Sequence, residues 1–92
     1  STALGFQAGL ANTSGAYNTF LGTQSGKNVT SGSGNVIIGA VDAASATGDR
    51  QLLITGNDGS TATTWIEGDS DGTVSANGGH LTTTGKALVM GF

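Results

Sequence analysis

The chain has 92 residues, of which 36% are hydrophobic and 10% charged, with 17 glycines, no proline and no cysteine. That length holds one domain at most, and without cysteine there is neither a disulfide nor a thiolate metal site. A net charge of −3, with all six acids between Asp42 and Asp71, excludes a basic phosphate-binding surface and so argues against nucleic acid, while no apolar run approaches the roughly 20 residues of a membrane span.

Eleven of the hydrophobic residues are alanine, so little bulky apolar material remains for a core. A chain of this size buries only about 60–65% of its surface, which makes an isolated compact monomer marginal. The chain therefore stacks repeats or buries surface against copies of itself. Abundant Gly, Ser and Thr are shared with flexible linkers. Apolar runs that recur at a fixed period decide instead for an ordered β-rich chain.

The first ten residues hold several Ala and Leu, but Gly5 and Gly9 exclude a helix. From there a period of 17 emerges. Gly5, Gly22, Gly39 and Gly56 are spaced 17 apart; the first three follow short apolar pairs ending in Leu4, Leu21 and Ile38, and Gly56 follows Ile54-Thr55. Asn18 and Asn35 open the phrases NTFLG and NVIIG in the same register, and Gln7 with Gln24, and Thr13, Thr30 and Thr47, share further columns. Two units match closely, the third (IIGAVDAASATGDRQLL) keeps its strand and loses most of the rest, and ITGNDGS retains a trace. Seventeen residues are enough for one or two short strands with turns. Such a unit buries its apolar face only when stacked on others, so Asn and Gly mark corners and the residues between them form a strand.

Beyond residue 50 the strand-like stretches RQLLITG, TATTWIEG, GTVSA and HLTTTGKALVMGF are irregularly spaced. Asp58-Gly59, Asp71-Gly72 and Asn77-Gly78 are turn signals, and TVSANGGHLT is expected to form a hairpin. Residues 1–50 are thus read as a repeat β-roll segment and 51–92 as an irregular β trunk or tip. The opening at Ser1 and the apolar close suggest a piece of a longer or processed protein.

The phrases NTFLGTQSG and NVIIG resemble the head repeats of trimeric autotransporter adhesins. GFQAGLANTSGAYNTFLGTQSGKNVTSGSGNVIIG is similar to repeats of bacteriophage tail-fibre proteins, as is TTWIEGDSDGTVS to segments that follow them. The resemblance covers about residues 3–75, and most specifically 3–39. It implies an all-β fold: a β-roll or β-solenoid of ~17-residue rungs, followed by intertwined or triple-β-helix-like strands in a parallel homotrimer. The implied role is structural, projecting and attaching a virion tail fibre to a host surface glycan alongside other virion proteins, without membrane insertion. A bacterial adhesin head at the cell surface and a self-assembling filament subunit are the alternatives.

No catalytic or cofactor constellation is evident, and no enzyme activity is expected. Asp69-Ser70-Asp71-Gly72 resembles a fragment of a calcium loop, but position 80, where that loop closes on Glu, is His80. His80 is the sole histidine and lacks the His-x-His pairing of an axial metal site. The Thr-rich runs TATT at 61–64 and LTTT at 81–84 are out of the 17-residue register, which argues against an ice-binding array. Trp65, the only Trp, is either a trimer-core residue or a sugar platform. Simple strand alternation puts Trp65 and Ile66 on opposite faces and Glu67 on the face of Trp65, within reach of Arg50 or Lys86. Trp65 and Glu67 are accordingly the candidate contacts for a glycan or for the trimer core.

Overall fold

Each short apolar phrase becomes a strand. The computed structural model describes residues 1–76, and these contain β1 (Thr2–Leu4), β2 (Thr19–Leu21), β3 (Val36–Ile38), β4 (Leu52–Asn57), β5 (Ala62–Gly68) and β6 (Val74–Ala76). All six join one sheet in chain order, and no helix occurs among the described residues. The fold is all-β.

The first three pairings are parallel: Phe20 pairs with Ala3, Ile37 with Phe20 and Leu53 with Ile37. Parallel neighbours need a crossover between them, and here a turn-rich return segment supplies it. The return segments are laddered as well. Ala11 N donates to Lys27 O (3.2 Å), Thr13 N to Thr30 O (3.0 Å) and Thr30 N to Ala46 O (2.9 Å). Backbone groups that a loop would leave to water are thereby satisfied by the next unit.

These pairings are 17, 17 and then 16 residues apart. Gly56 therefore does not continue the column of Gly5, Gly22 and Gly39. Its place is taken by Thr55, whose carbonyl oxygen lies where a Cβ on Gly39 would fall. The residue is lost just after Gly39. Gly9 N donates to Ser25 O, sixteen ahead, whereas Gly26 N donates to Val41 O, fifteen ahead. Gln7 and Gln24 turn this corner at φ of 60° and 59°, and no residue from 40 to 42 has that conformation. The third unit turns without the left-handed residue. The shift also removes Thr47 from its column, since Ala46 is the partner of Thr30.

The recurring Asn is a clamp between units. Asn18 Oδ1 accepts the backbone N–H of Asn35 (2.9 Å), and Asn18 Nδ2 donates to Gly32 O (2.8 Å). Asn35 repeats both bonds one unit on, accepting from Gln51 N (2.7 Å) and donating to Gly48 O (3.0 Å). Gln51 fills the third position of the column, with Nε2 donating to Asn35 Oδ1 (3.0 Å), Ser45 O (2.9 Å) and Gly48 O (3.0 Å). At the other end Ser1 Oγ accepts from Asn18 N (3.2 Å). Asn18 and Asn35 are buried, so these bonds satisfy groups that would otherwise be costly to desolvate.

In β2 and β3 the middle residue points inward. Phe20 and Ile37 are buried with Val29 and Ala43, and Ala8, Val41 and Leu53 pack against them. Ser25, also buried, donates its hydroxyl to Ile37 O (2.6 Å). Only four buried hydrophobic residues are found among the described residues, so side-chain burial within one chain is small and the ladders carry much of the architecture.

Asn35→Ala is expected to lose about 2–4 kcal/mol, since it removes several bonds and leaves Gln51 N without its acceptor, while Gly48 O keeps only the Gln51 amide. Gln24→Ala, on an exposed pair, is expected to change stability by less than about 0.5 kcal/mol. Thermal unfolding of both variants at one fixed protein concentration checks the difference.

Candidate functional site

Residues on either side of each inward position face outward, and the register aligns them into two columns. One runs Leu4, Leu21, Ile38, Ile54, Ile66 and Ala76, and the other Thr2, Thr19, Val36, Leu52, Gly68 and Val74. Neither contains a charged residue. Leu4 is 66% exposed, Leu21 43% and Val74 53%. With strands about 4.8 Å apart, six strands make an apolar face roughly 24 Å long. Of the residues singled out in the sequence, Leu4, Leu21 and Ile38 lie on this face, while Asn18, Asn35 and the three in-register glycines lie at the unit corners.

The face changes character at the hairpin joining β4 to β5. Ile54 pairs with Ile66 but Thr55 pairs with Thr64, so Trp65 is an extra, bulged residue. Its ring lies over Gly56, where an added Cβ would come within 2.4 Å of the indole. Gly56 follows Ile54 by two residues along β4 and shares its face, so Trp65 stands on the same side as Ile54 and Ile66. The expected alternation of Trp65 and Ile66 is thus overturned by the bulge. Glu67 pairs with Leu53, which packs on the core side, so Glu67 does not share a face with Trp65. It lines a separate groove with Gln51, Leu53, Asp69, Thr73 and Ser75. No salt bridge joins Glu67 to Arg50; among the described residues the ion pair is Lys27–Asp42, at 3.1 Å.

Trp65 is 56% exposed and forms a shallow groove with Gly56, Asn57, Asp58, Thr61 and Thr63. The turn beneath is well tied. Asp58 Oδ1 accepts from Ser60 N (2.9 Å) and Thr61 N (2.8 Å), and Asp58 N donates to Thr61 O (3.2 Å). Asn57 Oδ1 accepts from Gly59 N (2.8 Å), while its Nδ2 donates to Ala40 O (2.9 Å) and anchors the hairpin to the preceding unit. The backbone donors of Thr61 and then Ser60 hold the Asp58 carboxyl below the usual carboxylate range, so it is ionised at neutral pH. Asn57, Asp58, Thr61 and Thr63 are absent from the sequence-derived site. Their signal was the NDG turn itself: folding the chain back across it brings residues 61–65 against Gly56.

The second turn, between β5 and β6, holds Asp69 and Asp71. Asp71 Oδ1 accepts from Thr73 N (2.8 Å), and Asp69 Oδ1 accepts from Asp71 N and Thr73 N (both 3.3 Å). The two neighbouring carboxyls act most strongly on each other, because one proton shared between them favours ionisation of one and protonation of the other. This lowers Asp71, with help from Thr73, to about 2 and raises Asp69. No three His, Cys, Asp or Glu side chains converge as metal ligands among the described residues.

The aligned glutamines are paired, with Gln24 Nε2 donating to Gln7 Oε1 (2.9 Å). Tyr17, Gly34 and Arg50 share a left-handed corner at φ of 60°, 71° and 51°, and Tyr17 and Phe6 are both largely exposed. His80, Lys86, the Thr-rich run at 81–84 and the hairpin expected about Asn77–Gly79 lie outside the described residues. Comparison of the chain with protein-family models, curated proteins and solved structures gave no match.

Carboxyl NMR titration is expected to place Asp71 near pH 2 and Asp69 above 3.8. The signs oppose each other. The lowered Asp71 stabilises the turn above pH 3.8 and loses that contribution as pH falls toward 2, whereas the raised Asp69 contributes at low pH and loses it as pH rises through its folded value. Asp71→Asn is expected to return Asp69 toward 3.8.

Proposed function

We propose that the chain is a β-roll segment of a homotrimeric fibre, of the bacteriophage tail-fibre type, which projects from a virion and contributes to attachment at a host surface. The observation that carries this reading is the uncharged apolar face, set against a core of four buried hydrophobic residues among the described residues. Covering a Val, Leu or Ile fully is worth up to about 1.5–3 kcal/mol, and this face offers eight of them.

The partner is argued from periodicity. The columns repeat at the strand spacing, so the covering surface must repeat at that spacing too. Further copies of the same chain, parallel and level with it, present matching columns. The threefold count rests on the resemblance of NTFLG and NVIIG to repeats of trimeric fibres and adhesins. The stacking at 17, 17 and 16 residues supports a solenoid, because each unit satisfies the backbone of the next. Within this reading the antiparallel strands β5 and β6 extend the same apolar face beyond the repeats.

Sedimentation equilibrium is expected to give three times the 9.0 kDa chain mass. The double variant Leu21→Asp, Ile38→Asp is expected to dissociate the trimer by burying charge without a partner. A wild-type chain that is monomeric and fully folded by circular dichroism would overturn the proposal.

A further inference from the structure

Trp65 stands on the same side of the sheet as the apolar columns, yet its surroundings differ from theirs. The columns have apolar neighbours along the sheet. Trp65 is ringed by Asn57, Asp58, Thr61 and Thr63. Aromatic residues that only complete an apolar interface have no need of such a setting, whereas a ring with one face wet and polar groups at its margin suits an amphipathic ligand.

The groove is preorganised. The bulge lifts Trp65 out of the pairing ladder, and Gly56 leaves the space across which the ring lies. Asn57 is consumed by its bonds to Gly59 N and Ala40 O, so it shapes the floor rather than contacting a ligand. Asp58 uses Oδ1 to hold the turn, which leaves Oδ2 without a partner among the described residues. Thr61 and Thr63 likewise have hydroxyls without an intramolecular partner there. The groove thus offers one apolar plate, one fixed carboxylate oxygen and two hydroxyls, with little left to order on binding.

We propose that this groove binds a neutral pyranose of a surface glycan, with the apolar face of the ring on the indole and its hydroxyls donating to Asp58 Oδ2 and bonding Thr61 and Thr63. The ligand is neutral because the lining contains an acid and no base, so an anionic sugar meets an unpaired like charge. An isolated ammonium would also suit an indole beside a carboxylate, but it would leave both threonine hydroxyls unused. The site deepens the attachment role proposed above and rests on that reading for its biological setting; its geometry comes from one hairpin.

Trp65 is the only tryptophan, so its fluorescence reports the groove directly. The full chain is titrated with the methyl glycosides of glucose, galactose and N-acetylglucosamine, and separately with N-acetylneuraminic acid and with tetramethylammonium. A saturable change with at least one neutral glycoside is expected, and none with the acid or the ammonium. Asp58→Asn keeps the acceptor that holds the turn and is expected to weaken binding about tenfold or more, since a hydrogen bond to a charged group is the stronger kind. Trp65→Ala, followed by calorimetry, is expected to abolish binding with the oligomeric state unchanged. Silence toward every neutral glycoside, a response to the acid or the ammonium in their place, or dissociation of the oligomer by Trp65→Ala would each overturn the proposal. A folded monomer that still binds a glycoside removes the trimer and leaves this site standing, and a trimer with an unresponsive Trp65 does the reverse.

Discussion

The side-chain amide of Asn35 holds two successive units together. Its oxygen accepts the backbone N–H of Gln51, just before the strand that follows, and its nitrogen donates to the return segment leading into that strand. Asn18 does the same one unit earlier. An aspartate could accept but not donate, and a serine is too short to span both partners, so the chemistry of a carboxamide is required. Fixing the neighbouring unit on both sides of one corner sets the strand register. The register in turn decides which residues form the core and which form the outward columns. With few apolar residues buried, this polar column takes on a specifying role that a larger core would otherwise fill.

Gln51 illustrates how far that constraint extends. The third unit has lost a residue at its first corner and retains little of the repeat, yet its strand still enters parallel and in register. Gln51 supplies the amide at the column position, and its longer side chain reaches back to Ser45 and Gly48. The sequence can drift widely along the return segment provided that an amide arrives at the corner. The parallel mode ends only at β4, which pairs parallel with β3 on one edge and antiparallel with β5 on the other.

Much of the first half was legible because it is written in repeats. The spacing of Asn18 and Asn35, and of Gly5, Gly22 and Gly39, is the spacing of the strands themselves. Gly56 misled because chain position and structural position diverge once a residue is dropped; Gly68 and Gly59 show that glycine recurs in this chain for other reasons. The face of Trp65 was illegible because alternation holds only while pairing is regular, and a bulge is decided by the partner strand and not by the bulged residue alone. Glu67 was misplaced by the same step. The groove beside Trp65 depends on residues brought together across a turn, so reading neighbours along the chain favoured Glu67 over Asn57 and Asp58.

The pairing of identical units has a consequence for length. Each unit of about seventeen residues advances the sheet by one strand spacing, near 4.8 Å, although the same residues fully extended would reach roughly 56 Å. The architecture spends chain on girth and closes every step with backbone bonds and an amide. A whole unit inserted between β2 and β3 would meet the same partners above and below. It would lengthen the object by one fixed increment and leave the hairpin end untouched. A single extra residue would instead be absorbed at a corner, as the lost one is after Gly39. The stack therefore lengthens only in discrete steps, and its length and the hairpin that follows it vary independently.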